Sequence, residues 1–275
     1  MKAIRTFNVK TYRQSTQSHL DKVAVEEPLE IWLKRYSSAS CSETQHLSTT
    51  MRTPGHDIEL VSGWLHSLNL IQMSDIQSIL HTGVETLKQQ YSNRIMITLK
   101  LGVDVDVSCL QRAQYANSSC GVCGQQSIEW MCDDLVPIDD SARISLSSNT
   151  IKQLSAQLGQ NQPLFSATGG MHGAALVNQA GIIYSVFEDV GRHNALDKLV
   201  GANLQLLPGL FGVVLSGRVS FEMVQKAARA GISMIVAMGA PTSLAIELCQ
   251  ECDITLIGFL QSDRFNVYHG WEYIN

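Results

Sequence analysis

Two cysteines, Cys120 and Cys123, stand two residues apart in the stretch NSSCGVCGQQS, with a glycine after each and small polar residues before them. A pair at this spacing has four readings. It ligates zinc, cycles as a redox dithiol, carries sulfur on a thiolate, or is incidental. A structural zinc site needs four ligands. A second pair, Cys249 and Cys252 in CQEC, would complete the set on paper. That pair falls at a helix end approaching a strand, where small apolar side chains pack, and lies far from the first. A deaminase-type zinc site needs His-x-Glu ahead of Pro-Cys-x-x-Cys. The histidine that comes nearest, His172, follows the pair and is succeeded by Gly173 and Ala174, not by a glutamate. A thioredoxin-like dithiol opens a helix directly after a strand, whereas this pair sits in a polar, glycine-containing loop. Such a loop suggests a mobile, exposed thiol. It would accept sulfur from one protein and present it elsewhere, with a second thiol able to release it by disulfide formation.

Other chemistry-bearing residues gather in four stretches. SGRVS (216–220) joins a flexible Gly217 to Arg218, which suits phosphate or carboxylate, and to Ser220 at a helix start. ATGGMHGAAL (167–176) offers a close backbone approach beside His172, without the Gly-Lys-Ser/Thr ending of a P-loop. FEDVGRHNALDKL (187–199) packs Glu188, Asp189, Arg192, His193, Asn194, Asp197 and Lys198 into one span, read either as a solvated helix face with i,i+4 pairs or as a ligand or interface site. FLQSDRF (259–265) places Asp263, an acceptor for an amide-like edge such as guanine, beside Arg264, a partner for phosphate. His56 reads as a solvated or capping histidine, Cys41 as incidental, and Asp104 and Asp106 as the solvated face of a strand.

The elements that must hold these residues follow from periodicity. PLEIWL reads as a strand and 36–50 as a Ser/Thr-rich loop or hairpin tip. TPGHDIELVSGWLHSL reads as a helix capped by Thr53 with Pro54 in its first turn. Alternation at Val103, Val105 and Val107 gives a strand within 94–108. Beyond residue 145 the pattern changes. A helix ends at Gly159, a hairpin turns at 178–181, and a helix over 192–201 stops at Gly201. Three apolar strands (GLFGVVLS, ISMIVAMG and DITLIGFL) then alternate with helices opened by Ser220 and by Pro241. This is a βαβ pattern, so a mainly parallel sheet with helices on both faces is expected. Ligands in such sheets bind beyond the carboxyl ends of the strands. That rule selects 216–220, 238–243 and 259–265. The expected division is an N-terminal domain over 1–143, mixed α+β, with the CxxC loop at about 109–143, and a C-terminal α/β domain over 144–275.

The chain has 275 residues and a formal net charge of -5, which excludes a broad nucleic-acid-binding surface and requires a local basic pocket for any anion. It shows neither a secretory leader nor an apolar run of the roughly 18–20 residues that cross a bilayer, so a cytoplasmic protein is expected. An odd count of seven cysteines argues against a fully paired disulfide framework.

Eight stretches together resemble the formate dehydrogenase accessory, or FdhD sulfurtransferase, family. They are EEPLEIWL, MRTPGHDIELVSGWL, SSCGVCG, TGGMHGAAL, EDVGRHNALDKLVG, SGRVSFEMVQKAARAGI, APTSLAIEL and GFLQSDRFNVY. The resemblance implies a sulfur carrier in the cytoplasm. A cysteine desulfurase loads a persulfide on Cys120, with Cys123 as helper or resolving thiol. The sulfur passes to the molybdenum of bis-molybdopterin guanine dinucleotide, before or during its insertion into the formate dehydrogenase catalytic subunit. The resemblance also implies a cytidine deaminase-like C-terminal domain without zinc chemistry, no metal of its own, and a homodimer. Contacts to the guanine nucleotide end of the cofactor would come from Phe259, Leu260, Gln261, Ser262, Asp263 and Arg264. Gln261 is neutral where a basic residue is expected. The alternative is a cofactor-binding chaperone that carries no sulfur.

Overall fold

The structure is a computed structural model that describes residues 3–12, 16–38, 41–69, 71–82, 93–105 and 135–275. Its strands form three sheets. The first is a two-stranded antiparallel ribbon of β1 (Ile4–Tyr12) and β2 (Thr16–Ala24).

The second sheet has the order β4-β3-β6-β5, built from β3 (Glu27–Ser38), β4 (Cys41–Arg52), β5 (Ile76–His81) and β6 (Arg94–Leu99). Alternate residues of β3 (Leu29, Ile31, Leu33) and β6 (Ile95, Ile97, Leu99) are buried, as period-two apolar spacing requires. Helix α1 (Asp57–Leu68) closes this core with Leu60, Val61 and Leu65. Residues 36–50, expected as a loop or tip, are mostly strand, because the Ser- and Thr-rich segment pairs along β3. The expected strand over 94–108 ends earlier. β6 stops at Leu99, and Gly102 turns the chain at φ 82.

The third sheet carries six strands in the order β12-β11-β10-β9-β7-β8. They are β7 (His172–Asn178), β8 (Ile183–Asp189), β9 (Phe211–Leu215), β10 (Met234–Ala237), β11 (Thr255–Gly258) and β12 (Asn266–His269). β9, β10 and β11 are parallel, while β7, β8 and β12 pair antiparallel. The sheet is therefore mixed, not mainly parallel. The helix-connected strands obey the βαβ expectation, and the strands joined by short turns do not. Helices do cover both faces. α4 (Arg192–Ala202), α5 (Phe221–Arg229) and α6 (Ser243–Glu251) pack on the face of Ala174, Leu176, Val213 and Ile235. On the other face, that of Ala175, Val177, Val214 and Val236, lies α2 (Ser148–Gln160), which supplies Ile151, Leu154 and Leu158. A short helix, α3 (Pro163–Thr168), precedes β7.

The two larger sheets are joined through α1 and α4. Added methyl groups would drive Gly63 of α1 into the Asp197 carbonyl and Gly201 of α4 into the Glu59 carbonyl. Two glycines thus let the helix backbones touch. Gly201 is not a C-cap, as expected from sequence, but an interior residue of a helix that runs to Ala202. The helix expected to end at Gly159 likewise runs one residue further, to Gln160.

Candidate functional site at the strand ends

The connections beyond β9, β10 and β11 lie side by side. Gly239 donates its N–H to Gly217 O, Phe259 donates to Gly239 O, and Val219 donates to the Ala240 carbonyl. A Cβ on Gly239 would stand 2.6 Å from Arg218 N, so only glycine lets these two loops meet. The three segments selected by the strand-end rule therefore form one surface.

β7 runs antiparallel to β9, so its first residues join the same end of the sheet. Gly173 donates to Ser216 Oγ at 2.8 Å, and Ser216 N donates back to Gly173 O. A Cβ on Gly217 would lie 3.2 Å from His172 Nδ1 and 3.8 Å from Arg192 Cδ. Ser220 holds the N-cap position of α5, yet its hydroxyl does not cap the helix. It lies 3.2 Å from His193 Nε2, which is also 3.2 Å from Glu222 Oε2. Both partners meet the same ring nitrogen, so the trio has no nucleophile–base–orienter relay, in which the two ring nitrogens face different groups.

Burial and the positive charges of Arg192 and Lys226 push His193 down to about 4, so it is neutral at pH 7. His172 is also lowered, by burial and then by Arg192. Two donors at this end are unused among the described residues: Arg192 Nε, and Nε2 of Gln162, whose side chain packs on Gly173. α4 begins at Arg192 with no side-chain cap, which leaves its N-terminal amides favourable to an anion.

The 259–264 segment completes the surface. Phe259 adopts a left-handed φ of 53 and is 43% exposed, while Leu260 is buried and anchors the loop in the core. Gln261, Ser262, Asp263 and Arg264 are exposed. The neutral Gln261 has a local role, since its side chain accepts from Arg264 Nε at 3.0 Å and its N–H donates to Arg264 O. Cys120 and Cys123 lie within 106–134, outside the described residues, as does Asp106.

Below the surface runs a polar seam. Asp189 accepts from Thr53 N–H, Gly191 N–H, Asn194 and Lys198, the last at 2.7 Å. Arg52 and Asp57, both buried, form a bidentate pair at 2.9 and 3.0 Å. Lys226 reaches Asp197 at 2.7 Å. Asn194, Asp197 and Lys198 are thus buried, the first against Met51 O and the last against Thr53 O, which agrees with the interface reading and not with the solvated-face one. Thr53 gives its amide to Asp189 instead of capping α1, which starts at Asp57 after a left-handed His56. His56 is solvated and stacks edge-on with Phe187.

The second cysteine pair is a core feature. Cys249 and Cys252 are buried between α6 and the sheet, and burial pushes the Cys249 thiol well up. A thiol held neutral in this way is a poor zinc ligand, because the thiolate is the ligating form. Cys41, at the start of β4, is exposed.

A sequence profile of the FdhD/NarQ family matches residues 24–275. The chain belongs to the FdhD/NarQ family. It is 40% identical over 256 residues to the sulfur carrier protein FdhD of Streptomyces coelicolor, covering 91% of this chain and 88% of that one. It is 37% identical to the protein of the same name from Sulfolobus acidocaldarius, covering 94% and 91%. Among solved structures, a formate dehydrogenase accessory protein from Desulfotalea psychrophila superposes with a TM-score of 0.74 at 25% identity, over the whole of both chains. In this chain the strand-end surface lies on the third, six-stranded sheet. Sequence reasoning found the three loops and the Arg192–His193 cluster, and it missed Gln162, Arg52 and Asp57. Nothing local marks these three, since their burial follows from distant packing.

Proposed function

We propose that this protein is a sulfurtransferase in formate dehydrogenase maturation. Cys120 accepts sulfur as a persulfide from a cysteine desulfurase and passes it to the molybdenum of bis-molybdopterin guanine dinucleotide, which is cargo here, not a resident cofactor. Transfer precedes or accompanies delivery to the formate dehydrogenase catalytic subunit. The observation that carries this reading is membership over residues 24–275 in a family whose close relatives are named sulfur carriers. The spacing of Cys120 and Cys123 supplies the chemistry. Persulfide passage between proteins suits the cytoplasm, where thiols are kept reduced. Among the described residues, no helix is long and apolar enough to cross a membrane.

The strand-end surface supports the second half of the reading. The guanine nucleotide ends of the cargo are polyanionic, while the chain is net acidic. Exposed Arg218 and Arg264, the unused Arg192 Nε and the uncapped start of α4 supply local positive potential, and Asp263 supplies an acceptor for guanine. This is the end of the sheet where a cytidine deaminase-like domain would hold a nucleotide. Among the described residues, no three His, Cys, Asp or Glu side chains come together to hold a metal. In this reading residues 144–275 form the cargo-binding domain, and residues 1–143 carry the thiol loop.

The test is restoration of formate dehydrogenase activity in cells lacking the endogenous accessory protein. Cys120→Ala is expected to abolish restoration. Asp263→Ala and Arg264→Ala are expected to weaken GDP binding on the order of 10–100-fold, the worth of a charge-assisted hydrogen bond. Full activity of Cys120→Ala together with loss on Arg264→Ala would replace sulfur transfer by simple cofactor chaperoning.

A further inference from the structure

Two arginines at the strand ends have no work in the fold. Arg5, Arg35, Arg52, Arg94 and Arg143 each meet a carboxylate. Arg192 and Arg218 meet none among the described residues. Arg192 Nε is moreover buried without a hydrogen-bond partner, and a buried donor left in this way calls for an acceptor. The two arginines flank Gly217, where an added Cβ would lie 3.8 Å from Arg192 Cδ and 3.2 Å from His172 Nδ1.

Two helices also start here, and neither is capped. α4 begins at Arg192 and α5 at Phe221, and no side chain accepts from the amides of either first turn. α6, which starts at the same end of the sheet, is capped by Thr242, whose side chain accepts from Ala245 N–H. His193 holds the two open starts together, with Nε2 3.2 Å from Ser220 Oγ and 3.2 Å from Glu222 Oε2. Each uncapped start presents free N–H groups and positive potential. Two carboxylates adjoin the notch. Asp189 is neutralised by Lys198 at 2.7 Å, and Glu222 is turned to His193, so the two arginines leave the notch net positive.

Such a notch suits an oxyanion that accepts hydrogen bonds from several directions. Asp263, the acceptor for guanine, stands past β11. The sheet order β11-β10-β9-β7 puts the notch two to three strand spacings away, about 10–14 Å. A nucleotide laid along the strand ends spans that gap, with its base at Asp263 and its phosphates at the notch. We infer that the notch between the starts of α4 and α5, lined by Arg192 and Arg218, is an oxyanion subsite for the diphosphate of the guanine nucleotide. This rests on the reading of the strand-end surface as the cargo site. It also orients the cargo. Guanine lies beside β11 and the diphosphate beside β9, and the pterin and metal follow towards His172 and the start of β7.

Calorimetric titration of the full chain with pyrophosphate, guanosine and GDP, each by itself, tests this. Pyrophosphate alone is expected to bind, with an affinity that falls as salt is added. Arg192→Gln and Arg218→Gln are each expected to weaken pyrophosphate and GDP about tenfold, as loss of a charge-assisted hydrogen bond does, and to change guanosine binding less than twofold. Arg192→Lys keeps the charge without the fork and is expected to lie in between. Asp263→Ala is expected to weaken guanosine and GDP and to leave pyrophosphate unchanged. Neither arginine belongs to a core, so an unchanged melting temperature shows that these variants stay folded. Pyrophosphate that fails to bind at millimolar concentration, or that binds both arginine variants as well as the unaltered protein, would overturn the subsite. So would an Arg192→Gln variant that loses guanosine as much as GDP, since the base would then occupy the notch. Pyrophosphate binding that depends on both arginines, with no affinity for guanosine, would uphold the oxyanion subsite and refute the guanine reading.

Discussion

At the scale of the residue, charge state is decided by burial. His193 titrates at about 4 in the fold against 6.5 in the open chain. Above pH 6.5 it is neutral in both states. As pH falls from 6.5 towards 4, the unfolded chain takes a proton that the folded one refuses, and stability is lost across that window. The loss is on the order of 2–3 kcal/mol, reduced by the partial exposure of the ring. His193→Gln is expected to flatten this part of the pH–stability curve, read by urea unfolding, and a ring-proton titration above pH 6 would refute it. Thiols divide in the same way. A thiol reagent is expected to label Cys41 in the native protein and to reach Cys249 and Cys252 only on unfolding, as mass mapping of peptides would show. The Cys120–Cys123 pair and the Arg218, Arg192 and Arg264 positions were legible from residue type and spacing. Gln162, Arg52 and Asp57 were not, because a polar residue shows its burial only once remote elements close over it.

At the scale of the element, the joint between α1 and α4 sets what the chain tolerates. Gly201→Ala is expected to destabilise by about 1–3 kcal/mol or more, because the added methyl meets backbone that cannot move aside. Gly159→Ala is the control. It sits in a helix with open space around its Cα, so the same change is expected to stabilise by about 0.5–1 kcal/mol. Equal effects in urea unfolding would contradict the close crossing. Lys198→Met leaves Asp189 buried without its cation and is expected to cost about 3–5 kcal/mol. The helices after residue 190 were legible because their apolar faces recur at helical spacing and Ser220 marks the start of α5, although Gly201 proved interior to α4 and Thr242, not Pro241, holds the N-cap position of α6. The start of α1 was misread because Thr53 and Pro54 form a good capping pattern, which the buried Asp189 overrides by taking the Thr53 amide. Strands β1, β2, β5 and β12 escaped because partly exposed strands of polar character lack a clear apolar period.

At the scale of the whole molecule, three parallel strands joined by helices were visible in the alternation of the last hundred residues, and with them the loops that form the strand-end surface. The β7–β8 hairpin was visible too, from its turn at 178–181, but its antiparallel place beside β9 and the pairing of β12 were not, since order within a sheet is set by which edges remain open after the βαβ units have packed. The account places sulfur chemistry on the Cys120 loop and cargo recognition at the strand ends. The chemical claim is tested most directly by anaerobic incubation with a cysteine desulfurase and cysteine, followed by mass analysis of the peptide that holds Cys120. A gain of one sulfur atom on that peptide, reversed by a thiol reductant and absent from Cys120→Ser, is predicted. A peptide that gains no sulfur, or a gain that survives Cys120→Ser, would contradict the account.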